Sequence, residues 1–185
     1  EGEPLILQHG LFGALSNFKD LIEYFRHYNK VIVPILPLFD LDLLHTSVGG
    51  LQKFVHKFIE NRNYQGIHLL GNSLGGHVAL VHVLKYPERI KSLILTGSSG
   101  VFENGMGDTY PKRGDYEYIK KKTELTFYDP QTATKELVDE VYETVNIRMK
   151  AIKIIALAKS AIRNNLGEEL NQIQQPTLLV WGNND

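Results

Sequence analysis

Apolar residues along this chain gather in five short runs, and the stretches between them turn to helical spacing. Leu5-Ile6-Leu7, Val31-Ile32-Val33, residues 66–70, residues 92–96 and residues 177–181 each read as a short buried strand. Phe18, Leu21, Ile22 and Phe25 share one face of a helix that Ser16 is placed to cap. Val48, Leu51, Val55, Phe58 and Ile59 share a face of a second helix, with Thr46 placed as its cap. Leu74, Val78, Val81 and Leu84 repeat at helical spacing over 74–86, and the pattern stops at Pro87. The order through residue 96 is β-α-β-α-β-α-β, which predicts a mostly parallel sheet with helices on both faces, an α/β architecture.

From 101 to 165 no strand pattern occurs. Residues 101–114 are glycine-rich and read as loop, whereas 115–127, 134–145 and 146–165 read as helices, the last suited to end at Gly167. Pro176 leads into the final strand, and Gly182-Asn183-Asn184-Asp185 follows it. The predicted organisation is a core over 1–100, a helical insertion over 101–170 serving as a cap or lid, and the core resuming over 171–185. Tyr110, Tyr116, Tyr118, Phe127 and Tyr128 are read as core packing rather than pocket lining, and Lys120-Lys121-Lys122 as a solvated helix face.

Composition narrows the function classes. The chain has 185 residues, enough for one sizeable core, and its 20 basic and 21 acidic residues give a net charge of −1. That balance gives no support for a nucleic-acid partner. There is no cysteine, hence no disulfide framework and no thiolate metal site, which fits a reducing, cytoplasmic setting. No apolar run approaches a membrane span, and Glu1-Gly2-Glu3-Pro4 lacks the basic-then-apolar pattern of a signal peptide. No phosphate-binding glycine motif and no metal-ligand spacing is present, so neither a cofactor nor a metal is expected.

The most informative stretch is Gly71-Asn72-Ser73-Leu74-Gly75-Gly76, set between a strand pattern and a helical one. Strand, G-x-S-x-G, helix is the context in which a serine is held on a sharp turn with its hydroxyl exposed. Glycines at 71 and 75 let strand and helix approach where a side chain would clash. The serine then stands at a helix N-terminus, which favours developing negative charge. The plainer reading is a glycine-rich turn whose serine caps the next helix.

With His9-Gly10-Leu11-Phe12-Gly13 before it and Trp181-Gly182-Asn183-Asn184-Asp185 after it, the chain resembles an α/β-hydrolase over essentially its whole length. The wording of the serine motif is closest to serine hydrolases that cleave carbon–carbon bonds in ring-fission products, and to related esterases. The resemblance implies Ser73 as nucleophile and Asp185 as the triad acid. It also implies an oxyanion hole from the backbone N–H of Leu74 and that of Leu11, with Phe12 the neighbouring choice. The implied substrate is a small molecule, either an ester or a diketone-like acid cleaved at carbon–carbon. Acyl transfer to another acceptor and a non-catalytic binding scaffold remain open alternatives. Oligomeric state is left open.

The resemblance places the triad histidine after the acid. The seven histidines are His9, His27, His45, His56, His68, His77 and His82, all before Asp185. His77, one turn past Ser73, is read as a hydrogen-bonded packing residue. The expectation is therefore a domain incomplete at both ends, with its histidine beyond residue 185 and residues 1–185 alone inactive or nearly so.

Overall fold

Five parallel strands form one sheet in a computed structural model that describes residues 2–13, 15–101 and 112–183. In chain order the elements are β1 (Pro4–Gln8), α1 (Lys19–Phe25), β2 (Lys30–Ile32), α2 (Val48–Asn61), β3 (Ile67–Asn72), α3 (Leu74–Lys85) and β4 (Ile90–Thr96). Three helices follow, α4 (Tyr116–Glu124), α5 (Lys135–Asn146) and α6 (Arg148–Arg163), and then β5 (Thr177–Val180). The strand order is β2-β1-β3-β4-β5, with every pairing parallel. The chain steps from β1 outward to β2, then returns across β1 to β3 and continues the other way. In an open parallel sheet, that reversal opens a crevice at the carboxyl ends of the two central strands. Here those strands are β1 and β3.

Successive strand residues face opposite sides of the sheet, and both sides are covered. Ile6, Leu69 and Leu93 pack with Val48, Leu51 and Val55 of α2 and with Val78 of α3. Leu5, Leu7 and Leu70 pack with Phe18 ahead of α1 and with Leu21, Ile22 and Phe25 along it. Every residue from Leu74 to Val83 is buried, so α3 runs through the core rather than along its surface. That all-round burial is why its sequence shows only an approximate helical stripe. β5 forms one edge, and Leu178 and Leu179 are 58% and 62% exposed.

Several local expectations are corrected. Ser16 does not cap a helix: a short 3₁₀ turn spans Leu15–Phe18, and the residue before α1 is Phe18 with no side-chain cap. Ser47, not Thr46, caps α2, its hydroxyl accepting from the Gly50 N–H at 3.0 Å. Thr46 is buried instead, and its hydroxyl donates to the Asp42 carbonyl at 2.7 Å. α6 ends at Arg163 with Asn164 as its C-terminal cap, ahead of Gly167, which begins a separate turn. Tyr116, Tyr118, Phe127 and Tyr128 are not core residues: none is buried, and Tyr128 is 85% exposed. Tyr110 lies outside the described residues.

The helical block between β4 and β5 is pinned to the sheet layer through α6. The Ser160 hydroxyl accepts from the Val48 N–H at 3.0 Å, and the buried Lys153 ammonium donates to the Phe39 carbonyl at 2.7 Å. His77 Nε2 donates to the Asn164 carbonyl at 2.8 Å. α5 packs on α6, and α4 packs on α5. Among the described residues, no helix is long and apolar enough to cross a membrane.

Candidate active site

Ser73 is the first residue past β3, at the carboxyl end of one of the two central strands. Its backbone has φ 52° and ψ −121°; among the described residues the only other non-glycine with positive φ is Asn63. A serine held there carries about 1–3 kcal/mol of strain, which surrounding contacts must offset. Those contacts are present on both sides of the turn. The Ser73 N–H donates to the Thr96 carbonyl at 3.1 Å. Its carbonyl accepts from Gly76, His77 and Ser99 at 2.9, 3.2 and 3.2 Å. Asn72 adds a tie from its side-chain amide to the Thr96 hydroxyl at 3.0 Å and the Thr96 carbonyl at 3.1 Å.

The serine side chain makes no capping bond to α3, and the residue is exposed. The plainer reading, a serine that caps the next helix, is thereby excluded. What holds the helix so close is Gly75. A Cβ built on Gly75 would lie 2.5 Å from the Gln8 carbonyl carbon and 2.7 Å from the His9 oxygen, so α3 rests directly on the backbone at the end of β1.

That contact brings the loop after β1 against the serine. A Cβ on Gly10 would stand 3.2 Å from the Ser73 Cβ. The loop is closed by the Gly13 N–H donating to the Gly10 carbonyl at 3.2 Å, with Leu11 and Phe12 at its tip. Among the described residues, no backbone carbonyl accepts from the N–H of Leu11 or of Leu74. As the first residue of α3, Leu74 has no intrahelical acceptor.

His9 braces this loop, a role its sequence context did not reveal. Its Nδ1–H donates to the Gly10 carbonyl at 2.8 Å, and its Nε2 accepts from the Leu36 N–H at 3.0 Å. Both nitrogens are committed, which fixes a neutral tautomer and leaves no lone pair for a base. His77 is fully buried and bonded to Asn164, as expected of a packing residue. His82 lies two turns along α3 from the serine, where burial, and after it the neighbouring His56, pushes its pKa down to about 4. Its Nδ1 faces the Gln52 amide at 3.3 Å. His68 sits on β3, bonded to Ser92 and Glu3, and His45 pairs with Asp42 in an exposed loop. Asp185 lies outside the described residues.

A cavity of about 210 Å³ opens beside the His9–Gly13 loop. Its walls are that loop, the segment after β2 (residues 35, 36 and 38–40) and Glu140 and Thr144 of α5. The helical block therefore supplies part of the wall of a cavity set beside the loops that follow β1 and β2. Among the described residues, no three His, Asp or Glu side chains come together to hold a metal ion.

The α/β-hydrolase fold family matches residues 3–126. A solved α/β-hydrolase enzyme from a lagoon-sediment metagenome is 40% identical at a TM-score of 0.79, covering 100% of this chain and 70% of that one. A 2-hydroxy-6-oxononadienedioate/2-hydroxy-6-oxononatrienedioate hydrolase of Paraburkholderia phymatum is 32% identical, over 99% of this chain and 71% of the relative. Lipase 3 of a Moraxella species is 28% identical over 100% of this chain, which spans only 63% of that lipase's length.

Proposed function

The chain belongs to the α/β-hydrolase fold family, and on that premise we propose that it carries the nucleophile of a serine hydrolase acting on a small ester. The observation that carries this reading is Ser73 itself, an exposed serine at positive φ whose side chain caps nothing and whose turn is tied down on both sides. A structural turn has no need of that strain.

The proposed steps follow from the placement. The Ser73 hydroxyl attacks the substrate carbonyl as a histidine takes its proton. The N–H groups of Leu74 and Leu11 hold the oxyanion, since both are fixed before charge develops. Asp185, which follows β5 in the sequence, orients that histidine, which is none of His9, His77 and His82. The tetrahedral intermediate collapses with cleavage of the ester C–O bond, the histidine gives its proton to the departing alcohol, and water activated by the same histidine then releases the acid and restores the Ser73 hydroxyl. Carbon–carbon cleavage is the second reading, favoured by the Paraburkholderia relative's substrate name. Residues 101–170 act as a cap, supported by the contribution of Glu140 and Thr144 to the cavity wall.

The test is hydrolysis of p-nitrophenyl butyrate by the full-length protein and by Ser73→Ala, with urea unfolding to confirm that the variant folds. The expected loss is at least about 10³-fold in kcat. Equal rates would remove Ser73 from the chemistry.

A further inference from the structure

The cavity beside the His9–Gly13 loop carries one sign of charge. Its walls are mainly apolar, with Leu11, Phe12, Ile35 and Leu36 among them, and among the described residues its only ionisable side chains besides His9 are Asp40 and Glu140. His9 brings no positive charge, because its Nδ1–H donates to Gly10 and its Nε2 accepts from Leu36. Two lysines stand against Phe39 without lining the space. Lys153 is 8% exposed with its ammonium on the Phe39 carbonyl, and Lys150 stands 5.1 Å from the Phe39 ring. The two acidic residues come from different parts of the fold, Asp40 from the segment after β2 and Glu140 from α5, and both are solvent-exposed at the rim of the space.

We infer that this cavity receives the acyl tail of an uncharged or amine-bearing short ester and turns away tails that end in a carboxylate. The inference rests on the serine-hydrolase reading and narrows its substrate class. A volume of about 210 Å³ suits a short branched or linear chain and falls below that of pockets built for larger ligands. A tail carboxylate placed there would meet two like charges with no cation among the lining residues, an opposition that salt screens. An ammonium or an aliphatic end meets no such opposition. This separates the protein from hydrolases of dicarboxylate ring-fission products, despite its similarity to one of them.

The experiment compares p-nitrophenyl 5-methylhexanoate with mono-p-nitrophenyl glutarate, which have the same chain length and end shape but differ by one negative charge. For the full-length enzyme, kcat/KM for the neutral ester is expected to exceed that for the glutarate by at least about tenfold at low ionic strength. Asp40→Asn with Glu140→Gln is expected to shrink that ratio, chiefly through a lower KM for the glutarate. Equal rates on the two esters, or a ratio that neither the double substitution nor salt alters, would overturn the inference. Calorimetric binding of both esters to Ser73→Ala protein gives a readout independent of catalysis. There the neutral ester should bind more tightly, and equal or reversed affinities would overturn the inference. If the wild type hydrolyses neither ester, the serine-hydrolase reading fails, and the binding comparison still decides what the cavity accepts.

Discussion

Replacing Gly75 by alanine tests how the serine is positioned without touching any group that takes part in the chemistry. The added methyl would lie 2.5 Å from the Gln8 carbonyl carbon and 2.7 Å from the His9 oxygen. Both are backbone atoms at the end of a strand paired on two sides, so neither can rotate away. α3 must therefore retreat from β1 by something like 1 Å to restore ordinary contact. Overpacking of this kind costs about 1–3 kcal/mol, and at this chain length each kcal/mol lowers Tm by roughly 2–4 °C. The larger effect is on activity. The retreat carries Ser73 away from the Leu11 loop, and a misplacement of about 1 Å can cost on the order of 10²-fold. Gly49→Ala is the control, because its methyl would meet only the Ser47 hydroxyl, at 3.9 Å. That change on α2 is expected to alter stability by less than about 1 kcal/mol and activity hardly at all. The assays are urea unfolding and the rate of p-nitrophenyl butyrate hydrolysis. Gly75→Ala with wild-type activity, or an equal loss in Gly49→Ala, would refute the claim that this contact sets the site's geometry.

Two further outcomes follow from the histidines. His9→Leu leaves the Leu36 N–H without its acceptor, and the loss of that buried bond should lower stability by about 1–3 kcal/mol. With the loop unbraced, kcat should fall at least about tenfold while KM changes little, a split that steady-state kinetics reads directly. His82 has its pKa lowered to about 4 in the folded protein, so the unfolded chain binds a proton first as pH falls below about 6.5. The stability it contributes is present above that pH and is lost on acidification toward 4, about 2 kcal/mol between pH 7 and pH 5. Urea unfolding at those two pH values should show the drop, and His82→Gln should flatten it; an unchanged slope would exclude His82 as its source.

The parts of the fold that were legible are those whose physics is local. Leu5-Ile6-Leu7 and residues 66–70 read as strands because a parallel strand buried on both faces must be apolar throughout. Ser73 was legible because its turn needs small residues on both sides, and Gly71 and Gly75 supply them. What escaped depends on partners far along the chain. The brace from His9 to Leu36 spans 27 residues, and that from Lys153 to Phe39 spans 114. Neither has a local signal: Lys153 sits in a helix that also carries Lys150 and Lys159, yet its ammonium alone docks on a backbone carbonyl of the segment after β2. Choosing between Thr46 and Ser47 as the cap of α2 was also beyond the pattern. Both are hydroxyl residues before the same helix, and the path of the preceding loop, which turns Thr46 back onto Asp42, decides it.

The central claim is that Ser73 is a nucleophile, and the most direct measurement is covalent. The full-length protein would be treated with a fluorophosphonate, digested and mapped by mass spectrometry. One adduct is expected, on the peptide that contains Ser73, and it is absent from Ser73→Ala protein that unfolds with the same cooperativity. No adduct, or an adduct on another hydroxyl such as Ser98 or Ser99 that persists in Ser73→Ala, would contradict it.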